Sequence, residues 1–439
     1  MADALGTRAP ARLTFSTIST DTRHLTPGTL FVALKGDRFD AHAFLPQAKA
    51  QGAAAAVVRR GTPLVPGGGL PFFEVDDTLA ALGLLARARR RALPPGAPVV
   101  AITGSSGKTS TKEMIRAVLA TRYRVHATAG NLNNLVGVPL TILSAPADTQ
   151  ALVVEAGASV PGEIARLRDI IEPTIAVITN VGYAHVEGFG SLEGVKREKL
   201  SLLEGVGTAI VGPGPEGMLE AARKMTEVWV SKQFGEDAML DACLDDAGRP
   251  QLPLERGGAV SLPVLGIHQL ENALLALAVA ERVGIDHDTA VRALVEVRLP
   301  GGRGEIRAVG GLTVIDDSYN ANPTSLRRAV QFGAWLARKK GCPFALAVGT
   351  MLELGPESAR LHAEAAQDIV ARKPALVAAV GDFVTAFEGH RAVLGDRLIT
   401  AADADALGPK LKAALRGNEV VLLKASRGVA LERVLRHLT

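Results

Sequence analysis

The sequence contains only two cysteines among its 439 residues, Cys243 and Cys342, and neither belongs to a CxxC or cysteine/histidine pattern. A disulfide-stapled scaffold and a zinc finger are therefore excluded as fold classes. No run reaches the ~18 uninterrupted apolar residues that a membrane-spanning helix requires. Residues 1–10 also lack the apolar segment of a signal peptide. We therefore expect a soluble, cytoplasmic protein.

An excess of charge of one sign is also lacking, because 49 basic and 45 acidic residues leave a formal net charge of only +4. Arginine outnumbers lysine 35 to 14, yet no basic run is longer than Arg89–Arg91. This composition is not typical of nucleic-acid binding, and we interpret the arginine run as a solvated helix face. We expect a monomer that binds no nucleic acid and does not insert into a membrane.

The remaining composition is that of a folded protein with several domains. Apolar residues make up 47% and charged residues 21% of the chain, which excludes a disordered or fibrous protein. At about 150 residues per domain, the length predicts about three domains. Proline- and glycine-rich stretches at 92–98 and 299–304 are typical of linkers. We therefore predict domains at 1–94, 95–299 and 300–439, with hinges at the two linkers.

Short apolar runs alternate with helical stretches in the second and third predicted domains. The buried-strand candidates are 98–103, 152–155, 175–179, 312–316, 344–348, 376–380 and 419–424. Helices are predicted between the strands, among them 112–120 and 358–371. Strands that alternate with helices form parallel sheets. The sequence therefore predicts an α/β fold with a parallel sheet in the central domain and a doubly wound, Rossmann-like C-terminal domain.

The strongest chemical signal is Thr103–Ser110, TGSSGKTS, between a predicted strand and a predicted helix. Its glycines let the backbone aim N–H groups at phosphate oxygens, and the helix N-terminus adds positive potential. Lys108 supplies a charge for the terminal phosphates, and Thr109 is placed to bind Mg²⁺. Only two residues separate the glycines where the strict GxxxxGK[ST] pattern has four, so the alternative is a glycine-rich turn. The strand–loop–helix context favours a nucleoside triphosphate site.

Three further residues are candidates for this site, and each has a plain structural alternative. Glu155 ends a predicted strand, where it is either a Mg²⁺ ligand in the ligand crevice or an ordinary edge carboxylate. His185 lies in the glycine-rich segment 180–190, which favours a ligand or catalytic role, although a loop histidine is often only polar surface. Lys199 lies on a predicted helix, its plain alternative is a solvated lysine, and composition does not select it over Lys196.

Together these motifs resemble the Mur ligase family over almost the whole chain. The segments that carry the resemblance are 19–23, 27–36, 38–40, 103–109, 130–134, 137–141, 184–191, 266–272, 316–323, 349–355, His362 and 424–427. In this family the phosphate loop has the shortened spacing found here. Segment 316–323, DDSYNANP, resembles the branch that adds D-alanyl-D-alanine rather than the relatives with an Asp-Tyr-Ala-His pattern.

The resemblance implies a UDP-binding N-terminal domain, an ATP-binding central domain and a Rossmann-like C-terminal domain. It implies ATP and two Mg²⁺ ions as cofactors. The catalytic residues it implies are Lys108, His185 and a carbamylated Lys199, and the metal ligands are Thr109, Glu155, His185 and Lys199. The nucleotide contacts it implies are Gly104, Ser105, Ser106, Gly107, Lys108, Thr109, Ser110, His268, Asn272, Arg303, Asp317 and Asn320. The substrate contacts it implies are Ser19, Thr20, Arg23, Asn133, Asn134 and Asn322.

The activity that the resemblance implies is ATP-dependent joining of D-alanyl-D-alanine to UDP-N-acetylmuramoyl-tripeptide through an acyl phosphate. Three positions depart from the pattern of this branch: Thr350 replaces a usual aspartate, Ala425 a usual glycine, and Leu135 a common acidic residue. One alternative is a related ligase that adds another amino acid or glutamate, including the folylpolyglutamate type. The other is a non-enzymatic ATP-binding switch or transporter subunit. Segment 316–323 and the N-terminal motifs argue against a related ligase with another amino acid substrate. The full set of motifs argues against a non-enzymatic ATP-binding protein.

Overall fold

The computed structural model describes residues 5–6, 13–36, 39–62, 69–230 and 237–438. The chain divides into two compact units. The first comprises Met1–Ile102, Tyr123–Ala158 and Gly162–Ala176, and the second comprises Thr103–Arg122, Ser159–Pro161 and Val177–Thr439. Helices and parallel strands alternate, which confirms the predicted α/β class. Within the described ranges, no helix combines the length and apolar character needed to cross a bilayer.

The first unit contains a four-stranded parallel sheet. Its strands are β1 (Thr17–Ser19), β2 (Thr29–Val32), β3 (Ala55–Arg59) and β4 (Phe72–Val75), in that spatial order. The accompanying helices are α1 (Leu45–Ala50), α2 (Thr78–Arg91) and the 3-10 turns Thr22–His24 and Ala41–Phe44. Alternate β2 residues enter opposite cores, with Leu30 and Val32 in one and Phe31 in the other. Both faces of this parallel sheet are therefore covered.

The second sheet has six parallel strands. They are β5 (Val99–Thr103), β6 (Val125–Ala127), β7 (Ala151–Glu155), β8 (Ile175–Ile178), β9 (Thr208–Val211) and β10 (Glu227–Val230). The helices along this stretch are α3 (Lys108–Leu119), α4 (Gly137–Leu143), α5 (Glu163–Ile171), α6 (Val186–Phe189), α7 (Leu192–Leu200), α8 (Met218–Arg223) and the 3-10 turn Ser201–Leu203. The predicted strands 98–103, 152–155 and 175–179 are confirmed to within one residue.

Hydrogen bonds within each unit establish the strand order β10-β9-β8-β5-β7-β6. In the first unit β7 pairs with β5 and with β6. In the second unit β9 pairs with β10, and the N–H of Thr179, directly after β8, donates to the Thr103 carbonyl at 2.9 Å. The boundary between the units therefore passes through β5 and β8. Since the two strands run parallel, the segments 104–107 and 179–182 emerge at the same edge of the sheet.

A small antiparallel hairpin and more helices complete the middle of the chain. They are α9 (Asp237–Cys243), β11 (Gln251–Pro253), β12 (Ala259–Ser261), α10 (Ile267–Arg282) and α11 (His287–Leu294). The sequence predicts no hairpin here. Helix α10 packs on α3, the helix that follows the phosphate loop.

The C-terminal sheet has the spatial order β13-β14-β18-β15-β16-β17. Its strands are β13 (Glu305–Val309), β14 (Leu312–Asp316), β15 (Phe344–Val348), β16 (Leu376–Val380), β17 (Leu398–Ala401) and β18 (Val420–Lys424). Its helices are α12 (Pro323–Lys340), α13 (Ser358–Ala371), α14 (Asp382–Ala386), α15 (Arg391–Leu394), α16 (Ala404–Ala414) and α17 (Leu435–Leu438), with 3-10 turns at Gly355–Glu357, Glu388–His390, Gly395–Arg397, Arg427–Val429 and Leu431–Val434. Only β13 is antiparallel to its neighbour, so the predicted doubly wound sheet is confirmed.

The interpretation of Arg89–Arg91 as a solvated helix face is wrong. Arg89 donates to the carbonyls of Ala145 and Pro146, just after α4, at 2.9 and 2.8 Å. Arg90 donates to the Glu172 carbonyl, just after α5, at 2.6 Å. These guanidinium groups satisfy carbonyls at the negative ends of two helices. A local sequence pattern could not reveal this, because both helix ends lie more than fifty residues away.

Candidate active site

The loop between β5 and α3 follows a backbone path that only glycine allows at two positions. Gly104 has φ +149°, and a Cβ there would lie 1.9 Å from Thr179 Oγ1. Gly107 has φ +78°, and a Cβ there would lie 2.6 Å from Asn272 Oδ1. Both distances are too short for a carbon atom, so the loop depends on these two glycines. Helix α3 begins at Lys108, which places its N-terminal N–H groups at the loop.

The segment after β8 holds this loop in place. Thr179 Oγ1 donates to the Ser106 carbonyl at 2.6 Å. The Asn180 side chain donates to that carbonyl and accepts from the Ser106 N–H, both at 3.0 Å. Ser105 Oγ donates to the Gly182 carbonyl at 2.9 Å and accepts from its N–H at 3.0 Å. The sequence predicts no role for Thr179 or Asn180, although their position directly after a neighbouring strand is a usable signal.

Lys108 spans the phosphate loop, and the two hydroxyl residues after it are buried. Lys108 Nζ donates to the Gly104 carbonyl at 2.6 Å. Thr109 and Ser110 lie in the first turn of α3. The structure thus brings the predicted nucleotide residues 104–110 together as one loop and helix start. This arrangement can surround phosphate oxygens with N–H groups and a lysine charge.

Helix α10 brings Asn272 and His268 to the same region. Asn272 is buried against Gly107, accepts from Thr111 Oγ1 at 3.2 Å and donates to Gln269 at 2.9 Å. Its side chain therefore braces the phosphate loop. Burial lowers the pKa of His268 to about 3, so this imidazole is neutral at physiological pH.

Glu155 and Asn133 lie together in the first unit. Glu155 is the last residue of β7 and is buried, and its carboxylate accepts from Asn133 Nδ2 at 3.0 Å. Its backbone N–H donates to Thr128 Oγ1 at 2.9 Å. The Asn134 side chain accepts from two backbone N–H groups at the start of α4. The Glu155 carboxylate is therefore buried and hydrogen-bonded rather than exposed at the edge of the sheet. Asn134 caps helix α4.

His185 directly precedes α6 and contacts a residue that the sequence does not single out. Its Nδ1 lies 2.6 Å from Glu353 Oε2, without the angle of a regular hydrogen bond. Both residues have left-handed backbones, with φ +56° for His185 and +64° for Glu353. The Glu353 carbonyl also accepts from the Glu187 N–H at 3.1 Å. The contact with His185, aided by the Lys108 charge, keeps the pKa of Glu353 below its usual range.

Lys199 is buried on α7, and only 1% of its surface is exposed. Its Nζ lies 5.6 Å from the centre of the Phe189 ring. Lys196, one turn earlier, forms an ion pair with Glu193 at 2.7 Å. The alternative of a solvated lysine is therefore wrong for Lys199, which is buried more deeply than Lys196, whose side chain is 14% exposed.

The segment after β14 carries Asp317 and Asn320, two of the three predicted nucleotide residues of the C-terminal part. Lys424 donates to the backbone carbonyls of Asp317 and Asn320 at 3.2 and 2.8 Å. Asn322 caps α12 by accepting from the Ser325 N–H at 2.9 Å. Asn322 Nδ2 also donates to the Ser105 carbonyl at 3.4 Å. This segment therefore lies directly on the phosphate loop.

Arg303 stacks on an aromatic ring that faces a second arginine. Its guanidinium carbon lies 4.1 Å from the centre of the Tyr319 ring, and that of Arg427 lies 5.9 Å from it. Cation–π stacking of this kind fixes a guanidinium plane. Tyr319 is thus a positioning residue for Arg303 that the sequence motif contains but does not assign.

The predicted UDP-side residues lie in the first unit around the end of β1. Ser19 Oγ accepts from the Asp21 N–H at 3.1 Å, and Thr20 is half-buried. Arg23 is exposed and pairs with Asp21 at 2.7 Å. Arg38, in the third N-terminal motif, lies outside the described residues. The substrate role of these residues stays a prediction.

The side chains of the candidate site are suited to Mg²⁺ that is bound mainly through the phosphates of a nucleotide. In the part of the chain that the structure describes, no three His, Cys, Asp or Glu side chains converge as a metal-binding group. Mg²⁺ keeps several waters and is usually held by one or two side chains together with substrate phosphates. The imidazole of His185 and the inward carboxylate of Glu155 each suit such limited coordination.

One of the three departures from the family pattern has a structural explanation. Thr350 Oγ1 accepts from the Asp382 N–H at 2.9 Å, so a hydroxyl satisfies the first turn of α14. Ala425 is fully buried, with its Cβ 3.0 Å from where a Gly349 Cβ would stand. Nothing in the structure explains Ala425 or Leu135.

Three segments of the chain match models of one protein family. Residues 14–90 match the Mur ligase family catalytic domain, residues 102–280 the Mur ligase middle domain, and residues 302–427 the Mur ligase glutamate ligase domain. The phosphate loop, His185 and Lys199 lie in the second segment, and Asp317 and Glu353 in the third.

Relatives and solved structures resemble the chain over nearly its whole length. The UDP-N-acetylmuramoyl-tripeptide–D-alanyl-D-alanine ligase of Escherichia coli is 38% identical, over 98% of this chain and 94% of that protein. MurF from Acinetobacter baumannii has a TM-score of 0.86 and 30% identity, over 100% of this chain and 97% of that one. The MurF ligase of Thermotoga maritima, solved with ADP, has a TM-score of 0.80 and 27% identity, over 96% of each chain.

Proposed function

The chain belongs to the Mur ligase family, and we propose that it joins D-alanyl-D-alanine to UDP-N-acetylmuramoyl-tripeptide, with ATP, in peptidoglycan precursor synthesis. The observation that supports this most is the contact of Asn322 with the Ser105 carbonyl. It brings segment 316–323, which resembles the D-alanyl-D-alanine-adding branch, directly onto the phosphate loop. The loop and the residues that distinguish the branch thus belong to one site.

The reaction needs activation of a carboxylate, because oxide is too poor a leaving group for an amine to displace. A carboxylate oxygen of the tripeptide attacks the γ-phosphorus, ADP leaves, and an acyl phosphate forms. The amine of D-alanyl-D-alanine then attacks the acyl carbon, and the tetrahedral intermediate expels phosphate and loses a proton. No side chain needs to become covalently attached, which agrees with the lack of a Ser/His/Asp or Cys/His arrangement in the motifs.

Residues of the phosphate loop offset the charge that builds up when a carboxylate approaches a phosphate. Lys108 and the N-terminal N–H groups of α3 supply positive potential at the transferred group. Two Mg²⁺ ions, when bound, supply further positive charge to the phosphates. His185 is proposed to hold one ion. Thr109 and Glu155 are likewise proposed as Mg²⁺ ligands.

Lys199 is proposed to carry a carbamate that supports the His185 metal site. An uncharged amine is the form that reacts with CO₂, and burial disfavours the charged form. The product is an anion with oxygen donors, which hard cations prefer. The burial of Lys199 supports this proposal over one that uses Lys196.

The three domains 1–94, 95–299 and 300–439 also stay a proposal. The matched family segments 14–90, 102–280 and 302–427 fall inside these ranges, which supports them. We propose that the 299–304 linker lets the C-terminal domain move onto the nucleotide. We also propose that the protein is a monomer and acts in the cytoplasm.

Phosphate release with single and paired substrates tests this function. We expect slow release with ATP and Mg²⁺ alone and rapid release only when both UDP-N-acetylmuramoyl-tripeptide and D-alanyl-D-alanine are present, since water must be kept from the acyl phosphate. Replacing D-alanyl-D-alanine by glutamate is the matched control. Equal turnover with glutamate, or rapid release without any acceptor, would contradict the proposal.

A further inference from the structure

The contact between Glu353 and His185 brings together the two groups, a carboxylate and an imidazole Nδ1, that are also paired around metal-bound histidines. A metal-binding histidine usually offers its other ring N–H to a carboxylate, which fixes the tautomer and the plane of the ring. Here Nδ1 of His185 lies 2.6 Å from Glu353 Oε2. With Nδ1 turned to the carboxylate, Nε2 is the nitrogen that remains for a metal.

Glu353 reaches His185 from a distant part of the chain by way of a strained backbone. It lies after β15, in the segment matched by the family's C-terminal model, whereas His185 lies in the segment matched by the middle model. Both residues have positive φ, which non-glycine residues rarely adopt. Strain of this kind persists where the surrounding structure enforces it, and it is concentrated at functional sites.

Hydrogen bonds within the C-terminal part of the chain hold the loop that carries Glu353. The Met351 N–H donates to His362 Nε2, and the Leu352 N–H donates to Ser426 Oγ, both at 2.9 Å. His362 is buried and also contacts the Ser358 carbonyl through Nδ1 at 2.7 Å. The loop is therefore held by hydrogen bonds to the C-terminal part of the chain as well as by its contact with His185.

The far side of this loop fits closely against the turn that follows His185. The Glu353 carbonyl accepts from the Glu187 N–H at 3.1 Å. Gly355 has φ +56°, and a Cβ there would lie 3.1 Å from Glu187 Cα. The side chain of Glu353 can thus reach the imidazole only when residues 349–355 are docked on residues 185–187.

We propose that Glu353 is a positioning residue that fixes His185 for metal binding, and that it acts only while the 349–355 loop is docked. This inference rests on the proposed function, because it takes His185 as a Mg²⁺ ligand. Metal binding and docking of the 349–355 loop then reinforce each other, because both favour the state in which this loop lies on residues 185–187. The metal site would be complete only in the closed enzyme.

Metal binding by the full-length chain tests this with the variants Glu353→Gln and Glu353→Ala. The probe is Mn²⁺, titrated in the presence of ADP and followed by electron paramagnetic resonance. Loss of such a carboxylate typically weakens metal binding about 10- to 100-fold, and we expect at least tenfold weaker Mn²⁺ binding for Glu353→Ala and a smaller loss for Glu353→Gln. ADP binding in EDTA should stay as in wild type. Glu357→Gln, which loses only the pairing with Arg360, should bind Mn²⁺ normally.

Steady-state kinetics separates positioning from a general effect on the fold. We expect the KM for MgATP to rise and kcat to fall in Glu353→Gln, while the KM for D-alanyl-D-alanine stays constant. Wild-type Mn²⁺ affinity in both Glu353 variants, or equal weakening of ADP binding in EDTA, would overturn the proposal. The variant His185→Ala distinguishes an error in the proposed function from an error in the role of Glu353. If His185→Ala also binds Mn²⁺ with wild-type affinity, the metal role of His185 in the proposed function is wrong. If His185→Ala loses Mn²⁺ affinity while both Glu353 variants keep it, only the proposed role of Glu353 is wrong.

Discussion

Lys424 Nζ lies 2.6 Å from a carboxylate oxygen of Asp317, and this pair is largely removed from water. The lysine side chain is 3% exposed and the aspartate side chain 18%. Because Lys424 also binds backbone carbonyls of the same segment, one cation fixes the chain that faces the phosphate loop. Stability and nucleotide binding should therefore depend on the same ion pair.

Lys424→Met should destabilise the protein and weaken ATP binding together. The methionine fills similar space but leaves the Asp317 carboxylate without its cation, and breaking a buried pair typically costs about 3–5 kcal/mol. Lys339→Met is the control, because its pair with Asp241 is exposed and such pairs are worth about 0–1 kcal/mol. Urea denaturation and ATP-binding titrations give the comparison. Equal losses in the two variants would contradict the role of the pair.

Gly107→Ala should abolish most ATP binding without unfolding the protein. The new Cβ would stand 2.6 Å from Asn272 Oδ1 and would push that side chain away from the loop. Gly205→Ala is a matched control, since Gly205 has φ +72° and no atom within 4 Å of a Cβ. It should cost only the backbone strain, about 1–3 kcal/mol, and keep wild-type ATP affinity. Similar ATP affinity in the two variants would show that the close approach is unimportant.

The stability that Glu172 adds to the first unit should be lost at acidic pH. A hydrogen bond from Arg91, with a second from Arg87, lowers the Glu172 pKa to about 2 from its ordinary 4.5. A lowered carboxyl pKa adds stability above the ordinary value, and this is lost as the pH falls from 4.5 towards 2. Wild type should therefore exceed Glu172→Gln in urea resistance at pH 6, with the difference shrinking on acidification. A constant difference across this range would refute the assignment.

Lys199→Ala should lose most activity while it still binds ATP. Small carboxylic acids should partly restore turnover, because they can occupy the place of the lost carbamate near the metal. Lys196→Ala is the control and should stay active, since Lys196 forms an ion pair with the exposed carboxylate of Glu193. Phosphate release with both substrates provides the measurement. Full activity of Lys199→Ala, or rescue of Lys196→Ala by the same acids, would show that Lys199 has no such role.

Seven central and C-terminal strands were predictable because parallel strands covered on both faces appear as short apolar runs. Strands β6, β9, β10, β13 and β17 were not predicted. Helix α3 begins at Lys108, four residues before the predicted start at 112. Its polar first turn, Lys-Thr-Ser-Thr, has no apolar periodicity, and its start depends on the left-handed Gly107 and on Asn272 from α10. Motif spacing therefore located the phosphate loop better than periodicity located its helix.

The parts of the site that could not be predicted all depend on contacts between distant segments. The pairing of Glu353 with His185 joins two loops that no local pattern connects. The burial of Lys199 likewise depends on what packs over α7, because a charged residue on a helix is ordinarily solvated. Residue types and spacing can identify candidates for chemistry, whereas tertiary packing decides which candidates are enclosed.

The most direct test of the proposed reaction follows oxygen from the substrate carboxylate. UDP-N-acetylmuramoyl-tripeptide labelled with ¹⁸O in its terminal carboxylate is incubated with the enzyme, ATP, Mg²⁺ and D-alanyl-D-alanine, and the phosphate is analysed by mass spectrometry. Because a carboxylate oxygen attacks the γ-phosphorus and leaves with it, each peptide bond formed should yield one phosphate carrying one ¹⁸O. Pentapeptide formation with unlabelled phosphate, or ATP hydrolysis without a pentapeptide product, would contradict the account.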